Sequence, residues 1–393
     1  MNPKTKNIIL GVVVVLVVAS IAYIEYTKPP GISQSQIKSI AAAPSSLGSA
    51  SSTASSTASV ALLQQIEATD QSEGYQPAVE LVDPTGFINT APFKLSDLVG
   101  KKVILLDFWT YSCINCIRTL PYLNAWYQKY KDYGLVIVGI HTPEFDFEKD
   151  YSNVSNAVNT YGVQYPVVLD SNYGTWDAYQ NNYWPCEYLI DIGGYVVHNQ
   201  IGEGDYATTE AAIQAALKNR AAVYGLPDDI PTGTVSPSNA VSMDVSKVTS
   251  EETYFGSQRN GFLTNGVQDK NGIQQLSIPA TIRPDSLYLG GTWNFENQFA
   301  ENTSTSGAKI VFEYGAKNLY FVASSDKGVT IKVLRDGQPL GSSSGADVSA
   351  TSSTAFIKSQ RLYNLIQGSD YGQHTIEIDI EGAGLDAYTF TFG

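Results

Sequence analysis

The 393-residue chain is 43% hydrophobic and 16% charged, with 24 Lys and Arg against 38 Asp and Glu. That is apolar mass enough for two folded domains, while a formal charge of −14 repels a phosphate backbone and disfavours nucleic-acid binding. The 3 cysteines cannot staple so long a chain, and two of them, Cys113 and Cys116, are separated by Ile114-Asn115, a pattern that points to redox or metal chemistry.

Residues 8–24, IILGVVVVLVVASIAYI, carry no charge. As a helix this run reaches about 25 Å, near the lower limit for crossing a membrane. Lys4 and Lys6 precede it, so the positive-inside bias makes residues 1–28 a cytoplasmic tip with a single transmembrane helix and sends the rest outside. A cleaved signal peptide is the alternative, and it also leaves the folded part extracytoplasmic, periplasmic or on the cell surface. Residues 29–71, with PSSLGSASSTASSTAS at 44–59, bury too little apolar surface to order themselves and read as a Ser/Thr/Ala-rich flexible tether.

From 72 to 223 apolar strands alternate with helical periods. In order come VILLDFW (103–109), a helix from about Cys113, GLVIVGIH (134–141) and a helical face of Val154, Ala157, Val158 and Tyr161. YPVVLD (165–170), EYLID (187–191), YVVHNQI (195–201) and a helix from about 208 to 222 follow. The alternation predicts an α/β domain with a mainly parallel sheet covered on both faces. Residues 224–247 hold Pro227, Pro231 and Pro237 and little periodicity, which reads as a linker. From 248 to 393 the period becomes two, as in Thr375–Glu381 and Ala387–Phe392, and Arg335-Asp336-Gly337-Gln338 after Val329–Val333 is a hairpin turn signal. This part is expected to be an all-β sandwich, a jelly roll.

Cys113 and Cys116 follow the strand VILLDFW after the turn Thr110-Tyr111-Ser112 and open the helix IRTLPYLNAWYQKY. A thiol at a helix N-terminus faces unpaired N–H groups and the positive end of the dipole, which favour thiolate. Cys113 is then the attacking thiol, and Cys116 at i+3 on the same face can resolve a mixed disulfide. Zinc would need four ligands, and only Cys186, His141, His198 and His374 remain as soft partners, with no second such cysteine pair, so no metal is expected. Thr110-x-x-Cys113 partly resembles the peroxiredoxin motif, although Leu106 stands where that motif has Pro, which leaves a thiol peroxidase as an alternative.

The run DFWTYSCINC resembles the thioredoxin-fold redoxins, and more closely the extracytoplasmic C-terminal region of the DipZ family, a TlpA-like thioredoxin domain followed by a jelly roll similar to carbohydrate-binding modules. HTPEF (141–145), YWPCEYLID (183–191), GEGDY (202–206) and AYTFTFG (387–393) fit the same family in order, so the resemblance covers about 75–393. It departs where the family has a multi-helix electron-conducting membrane domain, which implies a separate membrane electron donor similar to CcdA or DsbD, and at Cys186, where the family more often has Ala.

The resemblance implies a thiol-disulfide oxidoreductase with roles for particular residues. Asp107 matches the buried acid that accepts the resolving cysteine's proton, and Pro121 matches a helix-kinking proline without chemistry. Trp184-Pro185 matches the redoxin cis-proline, whose backbone offers strand-like hydrogen bonds to an extended substrate chain, so disulfide-bearing proteins are the implied clients. Glu144 is similar to an acid that relays protons near the dithiol, against the reading of an ordinary exposed loop acid. Trp109 either shields the disulfide or is a core residue. Cys186 is expected to be a buried, inert thiol pointing away from the face of Trp184, the sharper reading being a third redox thiol. His141 and His198 are expected as core or edge histidines. No cofactor is implied beyond the Cys113–Cys116 disulfide.

With Ile114-Asn115 between the cysteines and no imidazole there, the site is expected to be comparatively reducing. In the 248–393 part most aromatics must be core, yet some on a concave face, Trp293 among them, could stack on sugar rings, so a cell-surface glycan stands as a partner beside the reading of a docking domain. A glycan-binding protein with a vestigial redoxin is the remaining alternative.

Overall fold

The computed structural model describes residues 52–241 and 243–393. The expected anchor at 1–28, with its run 8–24, and the tether from 29 to 51 lie outside the described residues. Among the described residues no helix is long and apolar enough to cross a membrane. The last part of the expected tether is corrected, because Ser52–Ser72 is helix α1. Ser/Ala repetition gives way there to VALLQQIEATDQS, whose Leu63 and Ile66 recur at helical spacing and pack on the apolar cluster of the α/β part.

The chain divides into two compact units. The first takes residues up to 109 with 122–143 and 162–237, and the second takes 110–121, 144–161 and 238–393. Among the described residues the remaining α-helices are α2 (Ile114–Tyr130), α3 (Tyr151–Thr160), α4 (Gly174–Ala178) and α5 (Tyr206–Tyr224). Asp150 caps α3, its carboxylate accepting from the N–H groups of Ser152 and Asn153.

In the first unit, β1 (Gln76–Pro77), β2 (Gly86–Ile88), β3 (Val103–Trp109), β4 (Leu135–His141), β5 (Val167–Leu169), β6 (Cys186–Ile190) and β7 (Tyr195–Ile201) form one sheet. Its order is β1-β7-β6-β3-β4-β5-β2. The mainly parallel sheet expected from the alternation is corrected to a mixed one, since β3–β4 and β4–β5 run parallel and every other ladder is antiparallel. The cause is local: Asp191 Oδ1 accepts the Gly193 N–H at 2.9 Å and Gly194 takes φ 83°, so β6 turns straight back into β7 with no crossover helix. β3 is buried along its whole length, as a central strand covered on both faces must be.

In the second unit the β-part runs from β8 (Thr253–Tyr254) to β19 (Leu385–Phe392) as a single 12-stranded sheet curled on itself, where two separate sheets were expected. β10 (Leu287–Phe295) makes the join. Its first half pairs with β12 (Ala308–Gly315) and its second half with β9 (Gly272–Leu276). Partners change at Gly290-Gly291, where Gly291 has φ 97°, a backbone state that a side chain resists. Trp293, Phe295, Phe312, Tyr314 and Phe390 fill the interior. The hairpin read from Asp336-Gly337 is present, with φ 55° and 72° at those residues and Arg335 opposite Gln338.

Candidate active site

β3 ends at Trp109, and Cys113 comes immediately before α2 with Cys116 in its first turn. Cys113 is half-buried and Cys116 is 1% exposed, so a substrate meets the outer sulfur first. The Cys116 N–H donates to Cys113 Sγ at 3.4 Å, which puts the sulfur in the N-capping place of α2. The dipeptide between them is held by Arg118, whose Nη2 donates to Asn115 Oδ1 at 2.6 Å. This buried guanidinium escaped the sequence reading, and its only trace there is the i+3 spacing.

The turn leading to Cys113 rests on Glu148, a second residue the sequence did not single out. Glu148 Oε1 accepts from the Ser112 hydroxyl at 2.7 Å and the Ser112 N–H at 3.2 Å, and Oε2 accepts the N–H groups of Glu144 and Phe145 at 2.6 and 3.0 Å. The carboxyl is fully buried, and burial pushes its pKa up against these bonds. Its sequence signal was slight, a Glu three places after Phe145 that closes the turn back on that residue.

Glu144 is not an exposed loop acid, its side chain being 10% exposed. Its Oε1 accepts from Arg259 Nη1 at 2.7 Å and from the Tyr254 hydroxyl at 2.8 Å. Arg259 also lies over the Tyr254 ring, 3.6 Å from its centroid. The Tyr254 hydroxyl is within 2.7 Å of Glu252 Oε2 as well, and one hydroxyl proton serves one carboxylate at a time.

In the first unit Asp107 sits in mid-β3, 1% exposed, with neither carboxyl oxygen hydrogen-bonded, and burial pushes its pKa up to about 8. Directly opposite on β6 is Glu187, 2% exposed and raised well above the usual carboxyl range by burial and then by Asp107. Glu187 was missed although it stands in YWPCEYLID; an acid inside an apolar strand was the available signal. Cys186 is 1% exposed, Asn199 Nδ2 lies 3.5 Å from its sulfur, and burial raises its pKa, all of which suit an inert thiol. Its expected separation from Trp184 is corrected, since both pack in one apolar cluster, as residues two apart on an extended chain do.

Of the two readings of Trp109, its burial agrees with the core residue. It is fully buried, edge-on to His141 at 5.1 Å, over Gly139, where a Cβ would come within 2.9 Å of its Nε1. His141 is buried with its pKa pushed down to about 3, and His198 is half-buried, as core and edge histidines are. The Trp184-Pro185 peptide is cis. Trp184 stays half-buried, its ring 4.2 Å from that of Trp176 and its Nε1 donating to the Thr142 carbonyl at 3.1 Å. In the β-part, Trp293 is fully buried and donates to the Gly290 carbonyl at 2.9 Å, which removes it as a sugar-stacking face.

Residues 69–199 match the AhpC/TSA family and residues 250–393 the thioredoxin like C-terminal domain. Protein DipZ of Mycobacterium bovis and that of Mycobacterium tuberculosis are each 36% identical over 326 residues, 82% of this chain and 44% of theirs. The chain thus spans less than half the length of these curated relatives. Thiol-disulfide oxidoreductase YkuV of Bacillus subtilis is 28% identical over 142 residues, 36% of this chain and 95% of that protein. With the thioredoxin fold and the β-part both in place, the chain is a homologue of DipZ over 82% of its own length.

Proposed function

We propose that the protein is a membrane-anchored, extracytoplasmic oxidoreductase that reduces disulfides of secreted or surface proteins through Cys113 and Cys116. The observation that carries this reading is the half-buried Cys113 ahead of α2, its sulfur receiving the Cys116 N–H at 3.4 Å. Cys113 thiolate attacks the substrate disulfide and expels one substrate thiolate; Cys116 then attacks Cys113 Sγ, closes the Cys113–Cys116 disulfide and releases the other. Two electrons pass from the dithiol to the substrate, and Cys116 loses its proton. Asp107 is the proposed acceptor, supported by its burial, its unpartnered oxygens and a pKa near that of a thiol.

Trp184 and Pro185 are the proposed edge for an extended client, supported by the half-exposure of Trp184. The dithiol needs no other cofactor, and its electrons come from a separate membrane donor of the CcdA or DsbD kind. The uncharged run 8–24 supports the anchor. A docking role for 248–393 fits the aromatics better than a glycan role, since Trp293 is buried.

The test is the equilibrium potential of the Cys113–Cys116 pair, read by thiol trapping in graded glutathione and dithiothreitol buffers. A value near −270 mV, about that of thioredoxin, supports a reductase, and one near −120 mV makes the protein an oxidant. The AhpC/TSA match supports thiol peroxidase as a second reading, and peroxide consumption that needs Cys113 would favour it.

A further inference from the structure

We propose that Glu187 is a positioning residue for proton transfer, forming with Asp107 a buried carboxyl pair that shares protons and is joined to the surface through Thr209 and His198. The proposal rests on the reading that Asp107 takes the Cys116 proton.

The strand register carries it. β3 and β6 are antiparallel neighbours with Asp107 directly opposite Glu187, and facing residues on a sheet hold their Cβ atoms about 5 Å apart. Both Asp107 oxygens and Glu187 Oε2 are buried without a hydrogen-bond partner. Two such carboxyls resist ionising together, so they titrate as a pair.

The neighbouring strands and α5 bring these polar groups towards the pair. β3 presents Asp107, β6 itself adds the Cys186 thiol, and β7 contributes Gln200 opposite Glu187 and His198 opposite Leu189. On α5, Thr209 and Glu210 are both buried, but Glu210 is engaged by Lys129 at 2.8 Å and Tyr130 at 2.7 Å. Thr209 is the proposed link: its hydroxyl lies 3.1 Å from His198 Nε2 and is near enough to the Glu187 carboxyl to oppose the rise in its pKa. His198 is half-buried, and burial lowers its pKa, so its neutral ring has one nitrogen to accept and one to donate.

The step balances. Where the pair has given up its first proton, at about pH 8 and above, the proton that Cys116 loses on resolution enters it, and the pair then holds two. One proton leaves from Glu187 through the Thr209 hydroxyl to the His198 ring, whose other nitrogen passes one to water.

The test follows the Asp107 carboxyl by carbon-13 NMR in the reduced full-length chain labelled at Asp, with Asp107→Asn to assign the signal. The expected titration is biphasic in the wild-type chain and in Glu187→Asp, and monophasic in Glu187→Gln. A monophasic wild-type curve, or a biphasic one in Glu187→Gln, overturns the proposal. The relay arm uses His198→Leu, whose single-turnover resolution rate should fall on the order of tenfold or more and recover with added imidazole; an unchanged rate, or a fall that imidazole does not restore, overturns that arm. The titration is read without substrate, so it stands or fails apart from Cys113→Ser, whose retained activity would overturn the oxidoreductase reading itself.

Discussion

Ser112, the residue before Cys113, gives both its N–H and its hydroxyl to one oxygen of Glu148. The reactive sulfur is therefore presented from a turn anchored on a fully buried acid. Glu148→Ala strands the N–H groups of Ser112, Glu144 and Phe145 in an apolar site and should destabilise the fold by about 2–4 kcal/mol in urea unfolding. Glu148→Gln keeps the shape and should lose less. Equal losses would show that one amide oxygen cannot stand in for the two acceptor oxygens of the carboxylate.

Asp107 predicts a pH dependence. Its pKa is about 8 in the folded chain, against about 4 when unfolded, so the native state keeps a proton that the unfolded chain releases. Its stabilising contribution is full below about pH 4 and is lost as pH rises towards 8. Asp107→Asn should therefore match wild type near the acid end and exceed it increasingly up to pH 8, by at most about 1.4 kcal/mol per pH unit. Urea unfolding between pH 5 and 9 checks this, and a pH-independent difference contradicts it.

Arg259 and Glu144 are 38% and 10% exposed in their side chains and 2.7 Å apart. Partial exposure screens the pair, so a double-mutant cycle of Arg259→Ala and Glu144→Ala should give a coupling of about 1 kcal/mol. Additive losses would make the bond energetically silent.

The thiols should separate by reactivity. In the native reduced chain iodoacetamide should label Cys113 first and leave Cys186, 1% exposed and raised in pKa, until denaturant is added. Peptide mass mapping reads this, and early labelling of Cys186 would restore it as a redox thiol.

Trp293→Ala empties a fully buried site in the β-part and should cost about 3–5 kcal/mol. Any polysaccharide retention by the folded chain should survive Trp293→Phe, which keeps most of the packing but removes the indole. Retention abolished in a variant that still folds would return Trp293 to a sugar site.

Several features were legible in the residues themselves. VILLDFW is a continuous apolar run and becomes a strand buried from end to end; Asp336-Gly337 supplies the positive φ values of its turn; Cys113 and Cys116 stand at a strand-to-helix junction. Each depends on neighbours within a few positions, where propensity and spacing act directly. Helix Ser52–Ser72 was missed because its Ser/Ala half carries no pattern and its order comes from Leu63 and Ile66 docking on a distant cluster.

What the sequence determined by itself was the chemistry available, a dithiol at a helix start with an acid in the preceding strand. Tertiary structure decided which side chains meet it. Glu187 faces Asp107, Arg259 holds Glu144, and Glu148 holds Ser112 only once strand order and loop closure bring together residues that are 80, 115 and 36 positions apart. Such pairings follow from register and from burial shared across the fold, which no local window of sequence contains.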